Sequence, residues 1–462
     1  MGLVTENIPD TIAAVATGGV VSAIGILRLS GSRAVEIADE VFRPDDGKKM
    51  SAHGDRRLVF GKLLDAEGEV LDICLCTISH APNSYTGENT AELQCHGGPV
   101  LLRTALECLF AHGARQALAG EFTKRAFLNG RMDLTRAEAV IDLIDAETPL
   151  AARNAAGQLA GAVSRRADAV YDALTDICSH FHAVLDYPDE EIPPFTLHEY
   201  ADTLTAAADD LRTLLDTFRR GHILEKGVRT AIVGKPNAGK SSLLNALLGY
   251  DRAIVTEIPG TTRDTLSERC TLGGVPLRLT DTAGLRDAED AVEKLGVERA
   301  VAATKDAELV LAVFDLSRAW SEEDEKTLAL AEAAEVRFAV LNKCDLPRVL
   351  DTARLEGRFD AVLTLSAKEG RGLSALEGAV AEAFPMPAAA AGEILTNARQ
   401  ADAVSRALDA LCAASEAMEA GVTPDAVLTE CERAMAALAE LTGRSVREDV
   451  TQKIFSRFCV GK

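Results

Sequence analysis

The stretch VRTAIVGKPNAGKSSLLN, residues 228–245, decides how this chain is read. Val228, Ile232 and Val233 supply the β-branched, apolar content of a buried strand. Gly234 to Gly239 break that pattern, and Lys240 to Leu248 resume at helical spacing. Gly234, Gly239, Lys240 and Ser241 match G-x-x-x-x-G-K-[ST] in the strand–loop–helix context the motif requires. Glycines let backbone N–H groups close around phosphate oxygens, and the helix N-terminus adds positive potential. Lys240 reaches the β- and γ-phosphates, and the Ser241 hydroxyl can ligate Mg²⁺. Alone, such a stretch also describes a glycine-rich turn; three further segments decide against that.

Asp281-Thr282-Ala283-Gly284 ends the apolar run VPLRLT, where Asp281 can hold the Mg²⁺ shell and the Gly284 amide can meet the γ-phosphate. Asn342-Lys343-Cys344-Asp345 closes the strand-like FAVL. A carboxylate at Asp345 can accept two hydrogen bonds from the N1 and N2 edge of guanine. Adenine cannot supply them, and an unpaired buried carboxylate rejects it by roughly 10⁴-fold. Ser366-Ala367-Lys368 follows VLTL and completes a base pocket. These motifs give a GTP-binding set of Asn237, Ala238, Gly239, Lys240, Ser241 and Ser242; Asp281 to Gly284; Asn342, Lys343 and Asp345; and Ser366, Ala367 and Lys368, to which the family resemblance set out below adds Thr256, Glu257, Ile258, Pro259, Gly260, Thr261 and Thr262.

Composition sets bounds on the rest. At 462 residues the length favours about three domains, and 47% hydrophobic content supplies their cores. With 49 basic and 71 acidic side chains the net charge is −22, which argues against a broad basic face for nucleic acid. Any RNA contact is then local or shared with a partner. Ten cysteines occur without a C-x-x-C pair, so neither a zinc site nor a disulfide framework is indicated. The charge-free stretch Thr11 to Leu27 lacks a basic flank and is split by Gly18-Gly19, so it reads as two strands around a turn. No membrane segment is expected, and the chain reads as a cytoplasmic protein.

The architecture expected is multidomain. Residues 1–118 form an α+β domain, with strand-like TIAAVAT, AIGILRL, RLVFGKLL and VLDICLCTI and a helix over Val100–Ala111. Two polar loops stand out, SYTGENTAELQCHGG (84–98) and GEFTKRAFLNGRMDL (120–134), whose Gly, Asn and Thr also suit plain turn chemistry. Residues 119–225 turn helical, an α/β P-loop GTPase domain of Ras-like type spans 226–384, and helices return over 385–462. The economical arrangement is one α-helical bundle domain split by an inserted GTPase domain.

The loop Ile254–Asp264 offers Thr262 as a further Mg²⁺ ligand. After DTAG, Ras-like proteins place a Gln that orients the attacking water. Here that position is Leu285, so another group is needed, with Asp287, Glu289, Asp290 and Glu293 downstream. No arginine finger is assignable. That cation contributes roughly 10³–10⁵ in rate elsewhere. Asn237 can offer a side-chain oxygen near the β/γ bridge, where a monovalent cation held by oxygens would serve.

Taken together, the chain resembles the MnmE (TrmE) family of tRNA-modification GTPases over essentially its whole length. The nucleotide domain alone is also similar to Era-like GTPases, which bind ribosomal RNA as switches. The discriminating segments are AIGILRLSG (23–31), SYTGENTAELQCHGGP (84–99), GEFTKRAFLNGRMDL (120–134) and the terminal Cys459-Val460-Gly461-Lys462. The resemblance implies modification of C5 of the wobble uridine of tRNA, with carboxymethylaminomethyl or aminomethyl groups, in a complex with an FAD-binding MnmG partner, a heterotetramer in arrangement. It implies an N-terminal domain that resembles folate-binding domains, dimerises, and holds a tetrahydrofolate derivative through Arg28, Glu92, Arg131 and Lys462. An Arg and a Lys suit the carboxylates of a glutamate tail, and a Glu suits a pterin's paired N–H donors. It also implies K⁺ on Asn237, Thr256, Ile258 and Thr261, Mg²⁺ on Ser241 and Thr262, Glu293 as the residue orienting the hydrolytic water, and a C-terminal cysteine, here Cys459, in the chemistry. The chain departs from the pattern at Gly18 to Ser22, at Arg131 and Val460, and at Lys235 where Arg is usual.

Overall fold

The computed structural model describes residues 10–18, 21–187, 196–250, 267–280, 304–385, 392–445, 448–456 and 458–461. These divide into two compact units, one from 1–144, 156–212 and 402–462, the other from 145–155 and 213–401.

The first unit is built on a seven-stranded sheet. Its strands are β1 (Thr11–Val15), β2 (Ser22–Ser30), β3 (Phe42–Pro44), β4 (Val59–Leu64), β5 (Val70–Ser79), β6 (Thr90–Gly97) and β7 (Ala114–Gln116), in the order β3-β4-β5-β6-β2-β1-β7. Pairing is antiparallel except for β1 with β7. The two strands expected around Gly18-Gly19 are β1 and β2, paired Val15 to Leu27 and Ala14 to Arg28. Alternation sorts the residues of β2: Leu27 and Leu29 are buried, and Arg28 lies on the other face. Helices Ala34–Val41 and Pro99–Ala111 pack their apolar residues against the Leu27 face. Cys74 and Cys95 oppose one another there, both buried, with Sγ atoms 3.9 Å apart. The same unit holds long helices, of which Ala162–Asp186 packs on Pro424–Thr442, with Cys178 and Cys431 among the buried residues.

The second unit carries a six-stranded sheet. Its strands are β8 (Val228–Gly234), β9 (Ser267–Leu272), β10 (Val275–Thr280), β11 (Leu309–Asp315), β12 (Val336–Asn342) and β13 (Ala361–Thr364), in the order β13-β12-β11-β8-β10-β9. All pairs are parallel except the β9–β10 hairpin at the edge. Central strand β11, LVLAVFD, is buried at every position, the signature of a parallel strand covered on both faces. Strands that follow β8 in sequence lie on both its sides, so the loop leaving β8 opens at the point where strand order reverses. Open α/β sheets bind ligands there, outside the carboxyl ends of the strands.

Candidate functional site

β8 ends at Gly234, and helix Lys240–Tyr250 begins at the phosphate-loop lysine. Between them Pro236 and Asn237 are exposed, as are Ser241 and Ser242 in the helix's first turn. Asn237 has φ 59°, a left-handed conformation that Asn tolerates better than most residues. Lys240 Nζ donates to the carbonyls of Gly234 (2.7 Å) and Lys235 (3.0 Å), so the loop holds its own lysine at its mouth.

The other motifs converge on this loop through one amide. Asn342 is 2% exposed; its Nδ2 donates to the Ala238 carbonyl at 2.9 Å and its Oδ1 accepts from the Ala367 N–H at 3.0 Å. Asn342 thus ties the phosphate loop to Ser366-Ala367-Lys368. Gly239 is where this requires a glycine: its φ is 101°, and a Cβ built there would lie 2.0 Å from Asn342 Nδ2. Lys343, also left-handed at φ 68°, reaches back with Nζ to the Asn237 carbonyl (2.7 Å) and to Asp315 Oδ2 (2.7 Å). Burial pushes the Asp315 carboxyl up, but hydrogen bonds from Lys343 and Ser317 outweigh it and hold the group below the usual carboxylate range. The Ser366 hydroxyl does the same for Asp345, with its own backbone N–H and the Lys368 and Arg371 charges assisting. Asp345 is therefore an anion, ready to accept two N–H donors.

Thr256, Glu257, Ile258, Pro259, Gly260, Thr261 and Thr262 lie outside the described residues, as do Asp281, Thr282, Ala283, Gly284, Glu293 and Lys462.

A second constellation sits on the other sheet. Arg28 on β2 and Glu92 on β6 are cross-strand partners, Nε to Oε1 2.8 Å, both partly exposed. The Arg28 guanidinium lies 5.6 Å from the Tyr85 ring centroid and 5.7 Å from that of Phe122. Burial raises the Tyr85 phenol above its ordinary value, and its hydroxyl is hydrogen-bonded to Thr123 at 2.9 Å. Arg131 is exposed and donates from Nε to the Ser84 carbonyl at 3.1 Å. The tail comes to this domain: Ala119 and Val460 form a β-bridge, the Gly120 N–H donates to the Cys459 carbonyl, and a Cβ at Gly461 would lie 2.3 Å from the Val15 carbonyl. Cys459 itself is exposed. The structure thus joins Arg28 to Glu92, fastens Arg131 to the 84–98 segment, and lays the tail beside the strand that pairs with Arg28.

The two segments expected as loops are largely regular: Thr90–Gly97 is β6 and Glu121–Leu128 is a helix, and their polar residues serve contacts between these elements rather than turns. Sequence reading missed what organises them. Arg125, 2% exposed, pairs with Glu88 (3.1 Å), Asp10 (2.8 Å) and Glu121 (3.0 Å), and Arg115 binds Asp10 and Glu121 as well. Burial pushes the Glu121 carboxyl up, but Arg115, the Leu118 N–H and Arg125 bring it down to about 2. Ser30 joins through Glu88 Oε2 (2.7 Å) and Thr86 (2.6 Å). The signal available was the density of charge in GEFTKRAFLNGRMDL, but nothing in residue type marks an arginine as buried.

Comparison with known proteins covers the chain from end to end. The family model for the GTP-binding protein TrmE N-terminus matches residues 11–131, and that for the MnmE helical domain matches 134–459. A tRNA modification GTPase MnmE of Roseiflexus sp. (strain RS-1) is 43% identical over 98% of this chain and 99% of its own. The MnmE of Alkaliphilus oremlandii (strain OhILAs) is 40% identical over 98% of this chain and 100% of its own. Among solved structures, the G domain of the T. maritima FeoB iron transporter is 27% identical, covering 33% of this chain and 96% of that one, at a TM-score of 0.25.

Proposed function

This chain belongs to the MnmE family of tRNA modification GTPases, and on that premise we propose that its GTP hydrolysis is potassium-dependent and drives wobble-uridine modification with a flavoprotein partner. It is a GTP-hydrolysing enzyme. The finer reading is that carboxymethylaminomethyl or aminomethyl groups are installed at C5 of the wobble uridine of tRNA, in the cytoplasm, by a homodimer working with an FAD-bearing MnmG-type protein.

Asn237 carries the potassium reading. It is exposed at the loop's crest, its carbonyl is taken by Lys343, and its side-chain amide makes no hydrogen bond among the described residues. An oxygen presented in that way suits a monovalent cation, which would supply positive charge beside the phosphates where no arginine finger is assignable. Asn237 would hold it together with Thr256, Ile258 and Thr261. Ser241, exposed in the first turn of its helix, fits Mg²⁺, with Thr262 and Asp281 completing the shell. Lys240 binds the β- and γ-phosphates, Asp345 selects guanine, and Glu293 orients the attacking water.

The Arg28–Glu92 pair, with the Arg28 guanidinium near the rings of Tyr85 and Phe122, fits a flat heteroaromatic ligand with N–H donors and an anionic tail, as a tetrahydrofolate has. Arg28, Glu92, Arg131 and Lys462 would hold it, and its chemistry is one-carbon supply. The exposed Cys459 is a thiol for that site.

The test is steady-state GTP hydrolysis in KCl and in NaCl at equal ionic strength, for wild type and Asn237→Ala. Stimulation by K⁺ that is lost in the variant is the expected result. Equal slow rates in both salts overturn the cation reading and assign activation to a partner or RNA.

A further inference from the structure

The second residue of the phosphate loop is a lysine turned away from the nucleotide side. Lys235 is 8% exposed, and its Nζ lies 2.7 Å from Asp324 Oδ2 and 3.5 Å from Ser321 Oγ. Asp324 is fully buried. It is the third residue of helix Glu322–Ala331 and closes that helix's capping box: its Oδ2 accepts from the Ser321 N–H at 2.9 Å and the Ser321 hydroxyl at 2.6 Å. Its Oδ1 is buried with no hydrogen-bond partner among the described residues. The carboxylate is therefore fixed by the helix that carries it, and Lys235 is the cation that offsets its burial.

The other end of the connection is the loop's main chain. The Lys235 carbonyl accepts from Lys240 Nζ and from the Ala238 N–H (3.3 Å), and the preceding carbonyl, of Gly234, accepts from Lys240 too. One residue thus has its side chain anchored in a separate helix and its peptide in contact with the lysine that binds phosphate. For stability alone an ion pair is a poor choice here, since apolar residues of similar volume fill such a site as well or better. What a charged N–H···O contact adds is direction: it fixes distance and angle where apolar packing tolerates sliding.

We propose that the Lys235–Asp324 pair is a positioning device for GTP hydrolysis: it holds the peptides at 234 and 235 against helix Glu322–Ala331 and so sets where Lys240 and the loop amides meet the β- and γ-phosphates. Lys235 and Asp324 are positioning residues, since they act through Lys240 and the loop backbone.

The test uses the full chain and reads melting temperature, affinity for a fluorescent GDP analogue, and single-turnover GTP hydrolysis. In Lys235→Met/Asp324→Leu no buried charge is left over, so melting is expected to fall only by what the lost capping-box acceptor contributed. kcat/KM for GTP is expected to fall on the order of 10²-fold, the scale of a misplacement of about 1 Å at a reacting centre. Lys235→Arg keeps the charge and is expected to recover most of that loss. A double variant that folds and matches wild type in kcat/KM reduces the pair to packing and overturns the proposal. Should the double variant not fold, Asp324→Asn, which keeps the shape of the side chain, is read the same way. Hydrolysis lost in folded protein supports the proposal, and hydrolysis lost only in proportion to the folded fraction overturns it.

Discussion

The phosphate loop and the two polar segments of the N-terminal unit, 84–98 and 120–134, use the same residue types, glycine, asparagine and charge, and are fastened by opposite means. In the phosphate loop the outward residues Pro236, Asn237, Ser241 and Ser242 are exposed, and what restrains the loop lies behind it: the Asn342 amide, the Lys343 ammonium and the Lys235–Asp324 pair. Segments 84–98 and 120–134 instead pair their charges with one another, Arg125 of helix Glu121–Leu128 meeting Glu88, Asp10 and Glu121. A loop that must wrap a polyanion leaves its donors unfilled and lets the ligand complete them. The N-terminal segments are completed by their own ion pairs, which hold helix Glu121–Leu128, and with it Phe122, against the strand that carries Arg28.

The largest effect expected from breaking this contrast is on the ligand-completed side. If Asp345 reads guanine as proposed, Asp345→Asn keeps one acceptor oxygen but turns the other into an N–H₂ that faces guanine's own N–H donor, and leaves the phosphate contacts alone. Competition binding should then show the preference for GTP over ATP falling by up to roughly 10⁴-fold, with affinity for a base-independent triphosphate unchanged. A variant that retains guanine preference would move recognition to Ser366-Ala367-Lys368.

On the self-completed side, Arg125→Met keeps volume and removes the charge that three carboxylates share. Arg115 still pairs Asp10 and Glu121 and Ser30 still holds Glu88, so the cost is that of lost charged hydrogen bonds, about 1.5–3 kcal/mol, rather than of fully stranded charges. The sole tryptophan, Trp320, lies in the other unit. Amide exchange in β2 and β6 should therefore accelerate while the Trp320 fluorescence transition in urea serves as the internal control. Unchanged exchange in both strands would mean that the network is not what secures these segments.

The two sides also differed in how far the sequence revealed them. Around residues 228–245 the motif is a statement about backbone: Gly239 has no Cβ because Asn342 occupies that space, and spacing alone conveys such a constraint. The apolar run FAVL of β12 and the strand-like AIGILRL of β2 were legible for the same reason, since burial follows from periodicity. Arg125 and Lys235 were not. Charged residues are seldom fully buried unless paired, and apart from Glu121, one helical turn before Arg125, the partners here stand far away in the chain, Asp10 and Glu88 from Arg125 and Asp324 from Lys235. The partner is the information that a local window lacks, so segment 120–134 read as turn chemistry and Lys235 as a mild departure from Arg.

The smallest expected effect, and the one most specific to the network, is on pH dependence. Glu121 is held at about 2 in the folded protein, against roughly 4.3 for an unfolded chain, because Arg115, the Leu118 N–H and Arg125 outweigh the upward push of burial. A carboxylate depressed on folding contributes stability that is fully present above its unfolded value and is lost as pH falls toward its folded one. Glu121→Gln carries no such proton linkage. The stability gap between wild type and variant, read from the protection of amides in β2 and β6, should be widest near neutrality. It should narrow as pH is lowered from about 5 to about 3, the interval in which the unfolded wild-type chain takes up a proton that the folded chain refuses. A gap that stays constant over that interval would assign Glu121 a packing or capping role at Leu118 and leave the arginines to Asp10 and Glu88, making the N-terminal segments less dependent on this carboxylate than the geometry indicates.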